Sequence, residues 1–128
     1  MIRPTQIRLL ALLAGVLDSS TGVALMVLPS ATLHLMLVPE PPHEAIVYVR
    51  FLGAFVASVG SLYLWGLGRG TDRLRLVLTA TLLPRGIVGG FVLTAVATGS
   101  LSLSWLSVTA TDWGLVVLQV WLLQSRAR

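Results

Sequence analysis

Asp18, Arg50, Arg85 and Asp112 stand out because each interrupts a run of apolar residues long enough to cross a lipid bilayer. Ionisable side chains in such runs are expensive, so they normally face a bundle interior and pair with one another or line a proton or ligand path. Their depths suggest the pairing. Counted from one common end of the runs, Asp18 lies about ten residues in, Arg85 about twelve, Arg50 about six and Asp112 about seven, and at about 1.5 Å per residue the opposite charges match in height within about 3 Å. Asp18 is therefore expected to pair with Arg85 and Arg50 with Asp112, a neutral set of two and two. Cross-pairing stays open, because an arginine side chain can span a helical turn.

The other polar candidates are weaker. His34 and His43 lie nine residues apart in one connection, with Glu40 and Glu44 nearby. A metal or haem site needs converging ligands, and two histidines separated by three prolines do not amount to one; no metal is expected. The chain has no cysteine, which excludes disulfides, thiolate metal sites, iron–sulfur clusters and CxxC redox chemistry. There is no nucleophile–base pair, phosphate-cradling loop or HExxH-type motif, and the glycines sit at helix-packing spacing. No catalytic residue is assigned.

The elements that must position these charges follow from composition. Of 128 residues, 55% are hydrophobic and 11% charged, and mean hydropathy is +0.88; a soluble domain carries about a quarter charged residues. The net charge of +4 comes from nine arginines and no lysine, scattered in ones and twos, unlike the basic patch that binds nucleic acid. A bilayer core of about 30 Å needs roughly 20 apolar residues per helix. Four runs qualify, residues 7–28, 44–67, 74–97 and 106–123, separated by Pro29, by PEPPHE, by GLGRGTDR and by TGSLSLS. The expected fold is an all-α integral membrane protein, a single four-helix transmembrane domain over residues 1–128.

Arg3, Arg69, Arg73, Arg126 and Arg128 flank the runs on one side, with Arg8 and Arg75 just inside, while the connections 29–43 and 98–105 carry no lysine or arginine. The positive-inside rule then places both termini in the cytoplasm. Tyr63, Trp65 and Trp121 fall near the inner interface by this count, and Tyr48 and Trp105 near the outer one. The first run is read as a mature helix and not a cleaved signal, because Asp18 interrupts it and no A-x-A site follows. SATLHLMLV (30–38) is read as a short interfacial segment on the outer side.

Close packing is also written in. Gly53, Ala57 and Ser61 form a small-xxx-small series on the face of Arg50, and Gly86 and Gly90 another beside Arg85. Ala14, Asp18 and Gly22 share a face of the first run, and Asp112 shares one with Val108, Leu115 and Gln119. Pro84 is expected to kink the third helix and free the carbonyl of Ala80, with Arg85 or a water satisfying that oxygen.

YVRFLGAFVASVGSLYLWGL (48–67), with an arginine, a glycine three residues on and another seven further, resembles the second helix of the DoxX-like superfamily of small four-helix bacterial membrane proteins. GVALMVLP (22–29) is similar to the end of their first helix, and Arg85 matches an arginine often found in their third. The resemblance covers about the first three-quarters of the chain, with loose motifs. It implies a four-helix fold in the bacterial cytoplasmic (inner) membrane and little about activity, since the superfamily ranges from subunits linked to quinone-dependent oxidoreductases to proteins of no assigned role.

Three roles compete on these residues. The first is a non-catalytic accessory subunit of a larger membrane complex, or a homo-oligomer, with Trp113 as an anchor for a neighbouring protein or pigment. The second is a component that binds a quinone or lipid, with Arg50, Asp112 and the His34 loop as a polar mouth to which His43 and Gln119 belong. The third is a small proton-coupled transporter using Asp18, disfavoured because Arg85 at the same height would hold that carboxylate ionised. No intrinsic cofactor is expected; a quinone, lipid or pigment would be acquired.

Overall fold

The computed structural model describes residues 4–125; the topology arginines Arg3, Arg126 and Arg128 lie outside the described residues. The chain is all-α. Four long helices carry it back and forth: α1 (Pro4–Val27), α3 (Ile46–Leu67), α4 (Thr71–Ala97) and α5 (Leu106–Gln124), with a two-turn α2 (Pro29–Leu35) after α1. Each long helix, with its leading 3-10 turn where there is one, is long and apolar enough to span a membrane. The expected runs fall inside these helices to within a turn, because an uninterrupted apolar segment of this length has only the helix as a way to satisfy its backbone in lipid.

The breaks have local causes. Pro29 cannot continue the ladder of α1 but is preorganised for a helical first turn, so it opens α2. At the other end of α2, Leu37 takes a left-handed φ of 58°, which a branched apolar residue seldom adopts. The conformation lets Val38 N–H reach Leu33 O at 2.9 Å and Leu37 N–H reach His34 O at 3.0 Å, a Schellman closure. It also seats Val38 in a cluster with Leu25, Leu33 and Val49. Leu35 and Leu37 project outward, as an interfacial segment should.

The long helices pair off. α1 and α3 form one pair and α4 and α5 the other, and no residue of α3 comes within 8 Å, Cα to Cα, of three or more residues of α5. The α1–α3 seam is held at backbone contact by glycines. A Cβ on Gly22 would lie 2.6 Å from Gly53 O, and one on Gly53 would lie 2.7 Å from Gly22 O. Only Gly allows that approach, which is how helices associate where lipid supplies no hydrophobic drive. Gly53 and Ala57 thus pack against Gly22 as expected, but the next contact belongs to Gly60, whose added Cβ would meet Ser19 and Asp18. Ser61 is exposed and back-bonds to Ala57 O. On α4 the packed glycine is Gly89, under Trp113, whereas Gly86 would meet nothing within 4 Å. In both cases the 3.6-residue period drifts the true contact by one position from a strict four-residue spacing.

The two pairs meet in the half of the bundle that holds the start of α1. There Ile7, Ala11, Ala14, Tyr63, Leu74, Val77, Leu78 and Leu122 form a continuous core. In the other half, toward α2, the pairs stand apart and enclose a cavity.

Candidate functional site

Where the closed half gives way to the open one, Arg85 sits 96% buried on α4. Nη2 pairs with Asp18 Oδ2 from α1, and Nη1 pairs with Asp112 Oδ1 from α5 at 2.7 Å. Nε donates to the Tyr63 hydroxyl of α3 at 2.9 Å, and the guanidinium carbon lies 5.3 Å from the centre of the Tyr63 ring. One side chain thereby ties all four long helices together. Arginine suits this because its planar guanidinium holds five donors in a fixed fork wide enough to meet two carboxylates and a hydroxyl, whereas a lysine presents three rotatable donors on one compact ammonium.

The expected pairing of Asp18 with Arg85 is seen, but Asp112 meets Arg85 and not Arg50. Arg50 is exposed, and its Nη1 donates to Met26 O in the last turn of α1. That turn carries carbonyls with no helical donor and the negative end of the helix dipole, so a cation there is well placed. Depth favoured Arg50 as the partner of Asp112 and misled, because which face each side chain occupies depends on helix rotation. Arg85 likewise spends its donors on carboxylates and Tyr63, not on the carbonyl of Ala80 released by Pro84.

Behind Arg85 the polar chain continues into the closed half. The Tyr63 hydroxyl shares its proton between Thr81 Oγ1 at 2.9 Å and Gln119 Oε1 at 3.0 Å. Gln119 Nε2 donates to Leu78 O at 2.7 Å and to Thr81 Oγ1 at 3.0 Å, and Thr81 donates to Val77 O. Tyr63 and Gln119 are both fully buried. Two expectations are corrected by this: Tyr63 is not an interfacial anchor, and Gln119 is part of the core network, far from any mouth. Tyr63 and Thr81 were missed as site residues. A signal was present, since Thr81 precedes Arg85 by one helical turn and Tyr63 follows Gly53 and Gly60 along the buried face of α3.

In front of Arg85 lies the cavity, about 300 Å³. Asp18 and Asp112 form its floor. Its walls are Leu17, Thr21 and Leu25 of α1, Val49, Leu52 and Val56 of α3, Val88 and Val92 of α4, and Ser107, Val108 and Thr111 of α5, with Leu33 of α2, Met36 just after it and Trp105 closing the far end. A smaller space of about 60 Å³ between Phe55, Val59 and Pro84 adjoins the ion cluster and is roomy enough for water. A shallow groove of about 440 Å³ continues outward past Tyr48, Glu40 and Ser102, and shares Leu33, Val49, Leu52 and Trp105 with the cavity. Groove and cavity therefore meet at Trp105.

His34 and His43 are exposed and line neither the cavity nor the groove. Among the described residues no three His, Asp or Glu side chains converge as metal ligands would. Trp113 lays its indole over Gly89 and donates to Gly86 O at 3.4 Å, so it seals the α4–α5 contact. Compared with protein-family models, with curated proteins and with solved structures, the chain has no match.

Proposed function

We propose that this multi-pass membrane protein binds a small amphiphilic molecule between its two helix pairs. The observation that carries the reading is the cavity of about 300 Å³ whose walls are mostly aliphatic, with the Thr21, Ser107 and Thr111 hydroxyl residues and Trp105 among them, and whose floor is the carboxylate pair Asp18 and Asp112. Concave, mostly apolar space with a few convergent polar groups is the usual form of a small-molecule site, and this volume is at the lower end of the usual range, roughly 300 to 1,000 Å³. A molecule seated there would gain van der Waals contacts with the lining.

The chemistry of the floor narrows the ligand. Carboxylates accept hydrogen bonds, so the head group should donate them; a lipid or quinol-like head meets this, whereas an oxidised quinone offers only carbonyl acceptors. An accessory-subunit role, in which the outward helix faces pack against a larger complex, is the second reading; Trp113 covers Gly89 with its indole but stays 42% exposed.

Gentle extraction from native membranes followed by native mass spectrometry tests the reading. The expected result is the chain with one apolar molecule per copy, lost in a Val92→Trp variant that fills the cavity. A defined assembly of larger subunits, with no small molecule retained by this chain, would replace ligand binding with the accessory role.

A further inference from the structure

The sequence offers two cations and two carboxylates within the spans, a neutral set, but the fold does not assemble that set. Arg50 is directed to the end of α1, so the cluster at the cavity floor holds one guanidinium against two carboxylates. Its formal charge is one negative. The Tyr63, Thr81 and Gln119 side chains behind it are neutral, and the cavity walls bring no further cation. An uncompensated charge away from water is costly, and it is offset either by a proton on one of the two carboxylates or by a cation from the side that is open, the cavity.

The approach has the same character. The groove outside Trp105 is bordered by Tyr48 and by Glu40, which accepts a hydrogen bond from Ser30. Aromatic faces and carboxylates are what attract an organic cation from the surface inward. Asp112 is the more accessible of the two floor carboxylates, with 15% of its side chain exposed against 9% for Asp18.

Resting on the ligand-binding reading above, we infer that the ligand is a lipophilic cation, its positive head on Asp112 and Asp18 and its apolar body in the cavity below Trp105. The ligand then completes the neutral set that Arg50 leaves open. The same ammonium chemistry could reside in a membrane amphiphile or in a soluble organic amine entering by the groove.

The test uses the full chain in lipid nanodiscs and two probes of one shape, benzyltrimethylammonium and neopentylbenzene, which differ only by the positive charge. Calorimetric titration should show the cation binding at least about tenfold more tightly than its neutral isostere, a modest demand for a charge this close to a carboxylate in a low-dielectric site. Asp112→Asn should narrow that gap by lowering the affinity for the cation alone. Equal binding of both probes to the unmodified chain overturns the cation inference and leaves the amphiphile reading standing. Binding of neither probe, with no molecule retained from native membranes, overturns both. A cation preference left undiminished by Asp112→Asn in folded protein would also defeat the assignment, since the charge recognised would then lie elsewhere. Repeating the titration with the nanodisc surface pre-saturated by a long-chain ammonium lipid separates the two sources. Competition places the site within reach of the bilayer, and its absence makes the groove the route for a soluble amine.

Discussion

The two halves of the bundle use the same kinds of residue to opposite ends. Near the start of α1 the helix pairs close on a core of Ile7, Leu74, Leu78 and Leu122, and the Tyr63, Thr81 and Gln119 side chains bond one another and the backbone of α4. Toward α2 the pairs part, the lining is just as aliphatic, and the polar groups at the boundary are left with an excess of acceptors facing empty volume. Apolar content therefore does not tell a core from a binding site. What differs is whether the helices are drawn together behind the side chains, and here the Arg85 cluster marks the line where that stops.

Substitutions can break or sharpen this contrast. The largest effect is expected at the boundary. Arg85→Ala leaves two carboxylates without their cation, a loss of about 3–5 kcal/mol on the scale of buried pairs in soluble proteins, to be read as a fall in yield and in detergent melting temperature. Adding Asp18→Ala should restore part of the loss, and Asp112→Asn more. Full recovery with Asp18→Ala alone would mean that Asp112 does not share the arginine.

Next comes the seam that keeps α1 on α3. Gly22→Val requires the backbones to separate and should cost about 1–3 kcal/mol by thermal denaturation. Gly114, which has nothing within 4 Å of an added Cβ, should accept alanine with no loss, or gain up to about 1 kcal/mol from helix propensity. Equal outcomes for the two glycines would remove the seam from the account.

In the closed half, Gln119→Leu removes one donor from Leu78 O and one acceptor from Tyr63, and is expected to lower stability by about 1–3 kcal/mol. In the open half, Val92→Phe should change the melting temperature least, because the ring enters existing space, yet it should abolish probe binding. If Val92→Phe destabilised the protein as much as Gln119→Leu, the two halves would be packed alike and the contrast drawn here would fail.

Much of the fold was legible before any coordinates. Four apolar runs of membrane length, punctuated by Pro29, PEPPHE and the glycine-rich turn before α4, leave the backbone no alternative to helices in lipid. The candidate site was legible in its members Asp18, Arg85 and Asp112, since charge in such runs is too costly to lack a purpose. Its wiring was not. Arg50 and Arg85 look equivalent along the chain, and Gly60 and Gly89 could not be distinguished from Ser61 and Gly90.

Length and hydropathy are local quantities and fix how many helices form and how deep each charge lies. Which arginine faces which carboxylate depends on the rotation of each helix about its axis, and that is set by the glycine seam between α1 and α3 and by Trp113 over Gly89, contacts between residues far apart in the chain. The same packing decided that α3 and α5 stay apart. The sequence by itself determined that charges lie buried in a four-helix membrane protein; only the tertiary structure decided that one arginine answers two carboxylates and that a cavity opens before them.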